Sequence, residues 1–416
     1  MPSHLVPWLS LAQLVGWGSV FYAFAMLLAP VEAALGASRA EVSLALSLAL
    51  LAEGLAAFPV GRWIDAGHER RVMAGGSLLA GLGLVGLSLA TTLVAVYAAW
   101  VCLGLAMAAT LYTPVFAVVT RRFAQHYRRQ IITITFLGGL ASTVFIPLMS
   151  WLLDAVGWRH MLWVLAACQW LVCLPIHLWW LRGAPAPAGP QRWAGAGVGV
   201  ATPAPGAAPT PAQRSPLAQA MRQPTFALVV VFQVLMMAIM VAVAAHLVSL
   251  LRESGLHPAW AVALPATMGV VQVAGRALLF FFEHRFSVHT LNRWIPTLIP
   301  LSLCALLVSL TWFHGNVAVA GLFVALYGLG NGMVTIVKGT AVAQYVSQPH
   351  AASLNGALGV PIALGRATAP WLLGALWTPA AGYLPGLWAL LVASAAAVGA
   401  LVWAQHLARA QHATAA

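Results

Sequence analysis

Long apolar runs fill most of the chain, and short stretches with charged residues, Pro or Gly separate them. A helix needs about 20 predominantly apolar residues to span a bilayer, and twelve runs reach that length. They lie near residues 8–35, 41–63, 72–91, 94–120, 130–153, 160–181, 225–251, 258–283, 291–312, 316–346, 351–377 and 383–405. The pattern predicts an all-α polytopic membrane protein with 12 transmembrane helices.

The segment 182–222 interrupts this pattern. It is rich in Pro, Ala and Gly and has no apolar periodicity, which is typical of a linker. It separates a predicted N-terminal bundle over residues 1–181 from a C-terminal bundle over residues 223–416. The halves echo each other, since Asp65 and Glu283 close the second and the eighth helix. Internal repeats are common in transporters, so we expect two pseudo-symmetric six-helix bundles.

The composition excludes a soluble globular protein. Hydrophobic residues make up 62% of the chain and charged residues 7%, and the mean hydropathy is +0.89, whereas soluble domains carry about 25% charged residues. The net charge of +12 comes from arginines scattered between apolar runs, so it indicates membrane topology and not a nucleic-acid partner. With the N-terminus inside, fourteen arginines fall in cytoplasmic segments and only Arg39, Arg159 and Arg252 in outer loops. We therefore expect both termini to be cytoplasmic.

Several other classes of protein are not favoured by the motifs. The four cysteines lack metal-ligand or disulfide spacing. The N-terminus has no basic region or cleavage site, which favours a retained first helix over a signal peptide. Gly81, Gly83 and Gly86 match a dinucleotide fingerprint but lie inside the third helix without a preceding strand. No Walker motif, zinc spacing or catalytic triad occurs in a plausible loop, so we expect no enzyme, no metal and no cofactor.

Three cations lie within apolar runs, all in the second half: Arg276, Arg366 and Lys338, the only lysine. A cation at the bilayer centre costs about 2.5–3.5 kcal/mol on insertion scales, so each marks a candidate functional site. Glu53 is the only comparably deep acid, and the surplus positive charge favours an anionic ligand such as a carboxylate. The alternatives are structural pairing for the arginines and, for Lys338, snorkelling to the headgroups.

Further polar residues complete a predicted cavity. Asn331 and Lys338 share a helical face, and Gln272 lies one turn before Arg276. Aromatic and amide groups on other helices are candidates for substrate contact or for packing alone. The predicted substrate-binding residues are Arg276, Lys338, Arg366, Gln272, Asn331, Tyr22, Trp17, Tyr112 and Gln233.

Two residues are candidates for proton coupling. Glu53 qualifies because burial favours the neutral form of a carboxyl group; the alternative is an interhelical ion pair. His246 qualifies because histidine changes charge near neutral pH; the alternative is a hydrogen-bonded structural role. The sequence leaves both alternatives open.

The segment Gly61-Arg62-Trp63-Ile64-Asp65, followed by Arg70-Arg71, resembles the signature loop between the second and third helices of the major facilitator superfamily. The resemblance covers essentially the whole chain. It implies a gating loop of Gly61, Asp65, Arg70 and Arg71, in which the Gly allows close helix contact and the Asp pairs with basic residues and helix ends. The chain departs from the pattern at Ala66, where a basic residue is usual, and at His68-Glu69, which replace the expected glycine.

Two further segments resemble monocarboxylate-transporter-like and oxalate/formate-antiporter-like bacterial members. They are Gln13–Gly18 with Phe21–Phe24 in the first helix, and Gly275-Arg276 in the eighth. The resemblance implies that Arg276 binds a carboxylate and that the protein lies in the bacterial inner membrane. Related carriers have an acid, implied in proton coupling, where this chain has Gln272. The fourth helix, 104–120, lacks the buried Arg motif of proton-coupled drug antiporters.

The sequence therefore predicts a secondary active transporter of a small organic anion, a monocarboxylate, carried in symport with protons by alternating access. One alternative is proton-antiport efflux of a metabolite or drug, and another is a non-transporting membrane sensor. The expected partners are the anion, the proton and the lipid bilayer, and we expect a monomer.

Overall fold

The structure is a computed structural model that describes residues 4–123, 127–183, 221–282, 285–346 and 351–415. In these ranges the chain is almost entirely helical, and its one isolated β-bridge joins Thr378 and Gly382. The predicted linker 182–222 falls almost wholly outside the described residues, as does Glu283. The predicted domain boundaries stay a prediction for that reason.

The first half of the chain forms six helices, several of them in consecutive segments. They are α1 (Leu5–Gly16, a π-helical turn Trp17–Phe21, and Ala23–Leu35), α2 (Arg39–Trp63), α3 (Glu69–Ser88), α4 (Leu93–Thr110 and Tyr112–Arg122), α5 (Tyr127–Gly139 and the first part of Ala141–Cys168) and α6 (the rest of Ala141–Cys168, a π-helical turn Gln169–Cys173, and Leu174–Trp180). Gly157, with φ of 76°, separates α5 from α6, and Gly67, with φ of 89°, lies between α2 and α3. These left-handed conformations suit glycine, which has no Cβ.

The second half forms six longer, mostly uninterrupted helices. They are α7 (Pro224–Glu253), α8 (Pro258–Phe282), α9 (Val288–Thr311), α10 (Val317–Tyr345), α11 (Ala351–Ala375) and α12 (Leu384–Ala415). Each of the twelve predicted runs corresponds to one helix, and the predicted polytopic all-α fold is confirmed.

Side chains before three of the helices satisfy their first N–H groups. Ser38 forms a reciprocal capping box with Glu41 at the start of α2. Thr92 accepts from the first turn of α4, and Asn316 accepts from two N–H groups of α10. Such caps fix where a helix begins, and here they set the first turns of helices that reach the central cavity.

The described residues form a small hydrophobic cluster between Leu5 and Leu181 and two large ones that lie side by side. One consists only of residues between Phe226 and Ala408. The other is built from α1 to α6, but it also includes four residues of the second half: Val241, Ala245, Val248 and Ala367. These four lie on α7 and α11, so these two helices bury part of their surface against the first half.

The two halves meet at one end of the bundle and separate toward the other. We call the end where α2 begins and α7 ends the Arg39 end, and the opposite end, where α4 ends, the Arg121 end. Toward the Arg39 end, a Cβ added at Gly374 of α11 would lie 2.6 Å from the Ser43 Oγ of α2. The prediction that the Arg121 end is cytoplasmic stays a prediction.

The contact between α2 and α11 continues to Gly54, where an added Cβ would lie 2.9 Å from the Ala363 Cβ. One turn further, Phe58 and Val360 continue the same two stripes. They are nevertheless 68% and 69% exposed. The halves have therefore diverged at this level, and the space between them opens toward the Arg121 end.

Candidate functional site

A cavity of about 300 Å³ lies between the two halves. Eight of the nine predicted substrate-binding residues line it, and Glu53 lines it too: Trp17, Tyr22, Tyr112, Gln272, Arg276, Asn331, Lys338 and Arg366. The ninth, Gln233, is buried in α7 and donates from Nε2 to the Lys338 carbonyl oxygen at 3.1 Å. The sequence thus identified residues that converge in space, while their roles as ligands stay predictions.

Arg276 is held by backbone carbonyl groups and not by an acid. Its Nη1 donates to the Thr135 oxygen of α5 at 3.0 Å, and its Nε donates to the Gly332 oxygen of α10 at 3.3 Å. An added Cβ at Gly332 would lie 2.3 Å from the Gln272 oxygen, so α8 and α10 are in close contact here. The guanidinium group therefore reaches the cavity in a fixed position, with further N–H donors for a ligand.

Arg366 forms an ion pair with Glu53 across the two halves. Its Nη2 lies 3.1 Å from the Glu53 Oε2, and the two side chains are 25% and 14% exposed. Of the two alternatives for Glu53, the structure contains the interhelical ion pair. Its proton-coupling role stays a prediction that this pairing does not favour.

Lys338 has no such partner among the described residues. Its Nζ donates to the Met237 Sδ at 3.5 Å, and a thioether is a weak acceptor. The three cavity cations thus share one described carboxylate, and that carboxylate is engaged by Arg366. The cavity wall carries surplus positive charge.

His246 lies outside the lining of this cavity and is fully buried. Its Nε2 is 3.0 Å from the Pro370 oxygen, and its Nδ1 is 2.7 Å from the Tyr383 hydroxyl. Burial raises the pKa of Tyr383, in the loop after α11, so its hydroxyl keeps its proton and donates to Nδ1. Nε2–H then donates to Pro370, an assignment that follows from the partners. This geometry favours the structural role, and proton coupling by His246 stays a prediction.

The predicted gating loop is paired differently from what the family resemblance implied. The fully buried Glu69 forms ion pairs with Arg121 at 3.4 Å and Arg122 at 2.5 Å. Asp65 is half-buried and forms no ion pair in the described part of the chain. The pairing expected for Asp65 therefore belongs to Glu69, because Asp65 lies in the π-helical turn Ile64–His68 and Glu69 begins α3 beside the end of α4.

The other residues of that loop occupy open positions. Arg70 and Arg71 are exposed, and a Cβ added at Gly61 would meet no heavy atom within 4 Å. Close helix contact is therefore not what Gly61 provides in this conformation. Gating by Gly61, Asp65, Arg70 and Arg71 stays a prediction.

A charged cluster at the Arg39 end was not singled out by the sequence. Arg39 donates to Glu32 of the same half at 3.0 Å and to Glu253 of the other half at 2.5 Å. Its guanidinium carbon lies 4.2 Å from the Trp377 ring centroid and 5.0 Å from that of Tyr383. From the sequence, Arg39 served only as a topology signal. We call these five residues the Arg39 cluster.

The chain is similar to known membrane transporters in sequence pattern and in fold. The family model described as Major Facilitator Superfamily matches residues 9–370, whereas no curated protein sequence matches significantly. A bacterial homologue of the human lysosomal transporter Spinster, solved in an inward-facing and occupied conformation, is 14% identical with a TM-score of 0.65, covering 98% of this chain and 95% of that chain. The nucleoside transporter NupG is 14% identical with a TM-score of 0.70, covering 97% and 98%. At such identities the likeness concerns the fold alone.

Proposed function

Because the chain belongs to the major facilitator superfamily, and is therefore a multi-pass membrane transporter and not an enzyme, we propose that it carries a small organic anion. We propose further that this anion is a monocarboxylate, that protons are cotransported with it, and that the membrane is the bacterial inner membrane. Both termini are cytoplasmic in this proposal. The chain works as a monomer by alternating access.

The observation that carries the proposal is the charge of the cavity. Arg276 and Lys338 line it without a carboxylate partner among the described residues, and Arg366 engages Glu53. Cations in a membrane interior face a cavity, pair with acids or bind anions. A carboxylate fits this surplus, and the planar fork of Arg276 suits a bidentate contact.

Two further features support the same proposal. A volume of about 300 Å³ lies at the small end of ligand pockets, which suits a small ion. Gln272, Asn331 and Tyr112 add neutral hydrogen-bonding groups beside the cations. Such neutral groups can orient a ligand, and they do not change the preference of the cavity for a negatively charged one.

A stabilisation panel on the purified protein tests this proposal. Acetate, pyruvate and benzoate are compared with the cation tetraphenylphosphonium and the neutral nucleoside uridine, each at two pH values, by thermal unfolding in detergent. We expect at least one carboxylate to raise the unfolding temperature, and more so at the lower pH. If tetraphenylphosphonium stabilises the protein and no carboxylate does, the anion proposal is wrong and drug efflux by proton antiport is favoured.

Variants of Arg276 localise the effect. Arg276→Ala is expected to fold but to lose stabilisation by the carboxylate and its transport into proteoliposomes. Arg252→Ala is the matched control, since Arg252 is an exposed cation in the last turn of α7 and away from the cavity. Transport with unchanged apparent affinity in Arg276→Ala would contradict the role given to Arg276.

A further inference from the structure

Lys338 is a cation that the surrounding helices do not neutralise. Among the residues that the structure describes, its Nζ has one hydrogen-bond acceptor, the Met237 sulfur at 3.5 Å. Glu53, the only described carboxylate that lines the cavity, lies 3.1 Å from the Arg366 Nη2. A charged ammonium group here would stand beside other cations without a counter-ion, which is the costly arrangement in a membrane interior.

The charged and titratable groups around α10 come from several helices. At the cavity they are Tyr22 of α1, Glu53 of α2, Tyr112 of α4, Arg276 of α8 and Arg366 of α11. Nearer the Arg121 end they are His289 of α9 and Arg409 of α12, which both lie near Tyr345 of α10. This set leaves an excess of positive charge on the cavity wall.

Only one of the three cavity cations can relieve that excess. A guanidinium group keeps its proton under all ordinary conditions, so Arg276 and Arg366 are permanently charged. A buried lysine amine, in contrast, exchanges its proton readily. Lys338 is thus the one of these three residues that can gain or lose its charge when a ligand binds or leaves.

We propose that Lys338 carries the coupling proton: its side chain is the neutral amine in the empty cavity and the ammonium ion when the anion is bound. The inference rests on the proposed function, because it requires an anionic substrate. The amine lone pair takes up one H⁺ as the carboxylate arrives, and an N⁺–H···O⁻ hydrogen bond forms between them. When the anion leaves, the proton returns from Lys338 to water.

This arrangement couples the two ions without a free carboxyl group. A proton on Lys338 without an anion would leave an unpaired ammonium, and an anion without the proton would meet only Arg276 as a partner not already paired. Proton and anion therefore enter and leave together, and the charge of the site is the same before and after. Glu53 is less suited to this task because Arg366 holds it as an ion pair.

Gln233 helps to fix the position of the helix that carries Lys338. Its Nε2 donates to the Lys338 carbonyl oxygen at 3.1 Å, which ties α7 to α10 at the level of the lysine. Met237, one turn along α7 from Gln233, provides the contact to Nζ. In this conformation the amine is thereby held at the cavity wall.

The sequence offers a direct readout, since Lys338 is the only lysine. Protein grown with nitrogen-15 lysine gives one side-chain resonance, and its chemical shift distinguishes amine from ammonium. We expect the amine in the empty protein near neutral pH and the ammonium after addition of pyruvate. Loss of the resonance in Lys338→Arg confirms its assignment. An ammonium signal in both states would overturn the proposal.

Transport by Lys338→Arg gives the second test. Whatever its affinity for pyruvate, the permanently charged variant should lose the proton uptake that accompanies binding. It should also lose accumulation driven by a pH gradient. Retained gradient-driven accumulation in this variant would refute the proposal. If it does not fold, the resonance of the wild-type lysine decides alone.

The two proposals fail in distinguishable ways. If no carboxylate binds the wild-type protein, the proposed function fails and the coupling role of Lys338 falls with it. If pyruvate binds and is exchanged while the lysine signal stays unchanged, the proposed function stands and only the coupling role is refuted.

Discussion

Replacing Arg39 by Gln should open the Arg39 end of the transporter. In the structure this guanidinium links α2 of the first half to Glu253 at the end of α7 in the second half, at 2.5 Å. It also lies over the rings of Trp377 and Tyr383, both in the second half. The substitution removes the positive charge and the planar group that make these links, and leaves a shorter, neutral polar side chain.

The size of the effect follows from the contacts that cross the halves. A hydrogen bond to a charged group contributes about 1.5–3 kcal/mol. The lower part of that range applies because the Arg39 and Glu253 side chains are 12% and 27% exposed, and water screens them. The ring contacts add roughly 0.5–1 kcal/mol each. The pair with Glu32 lies within one half and does not oppose opening.

We therefore expect the closed form to lose about 2.5–3.5 kcal/mol relative to the open one, which is roughly a 70- to 400-fold change in their ratio. Pulsed electron spin resonance between labels at Thr91 and His314 reports this ratio, because both residues are exposed at the Arg39 end on different halves. The four native cysteines are first replaced, so that only the introduced ones carry labels. Arg39→Gln should populate a longer distance.

Two companion variants make the result interpretable. Arg39→Lys keeps a positive charge but loses the planar group that stacks on the rings, so it should shift the distances less than Gln does. Arg252→Gln removes an exposed cation at the same end and should leave them unchanged. Identical distance distributions in wild type and Arg39→Gln would show that the cluster does not hold this end closed.

Two further substitutions test the packing and the pairing. Glu69→Gln removes a fully buried partner of two arginines and should lower the free energy of unfolding by about 3 kcal/mol, as measured by denaturation. Asp65→Asn should lower it less. A larger loss of stability in Asp65→Asn than in Glu69→Gln would contradict the assigned pairing. Gly104→Val should lower the unfolding temperature strongly, because an added Cβ lies 2.1 Å from the Ala49 oxygen. Gly86→Val, at an open position, is its control, and equal effects would refute the close contact.

The fold was predictable because the bilayer imposes a length. A spanning helix must satisfy its own backbone and present about 20 apolar residues, so each run of that length corresponds to a helix. The internal irregularities were not predictable in the same way. The π-helical turn Trp17–Phe21 in α1 leaves the apolar pattern unchanged, and the break at Leu111 divides α4 inside an apolar run.

The residues that line the site were predictable where their position within an apolar run determines that they face the protein interior. A polar residue in the middle of an apolar run must face the protein interior or a cavity, so Arg276, Lys338 and Arg366 could be expected in one place. Their partners could not. Pairing depends on which helices are neighbours and on their rotation, and neither is encoded in the distance of a residue from the end of its own helix. The Glu53–Arg366 ion pair could not be predicted for this reason. The same holds for the ion pairs of the two arginines with Glu69 instead of Asp65.

The net charge of the cavity does not depend on which cation is paired with Glu53. The anion proposal rests on this net charge and is therefore independent of the pairing. The charge of a cavity is a sum over its lining residues, and exchanging partners among them leaves the sum unchanged. Three cations and one carboxylate line this cavity in the described residues, so Glu53 could pair with any of the three without removing the excess. The excess can be reduced only by an anion from solution or by loss of a proton. Since neither arginine can release one, the choice between these two routes falls on Lys338.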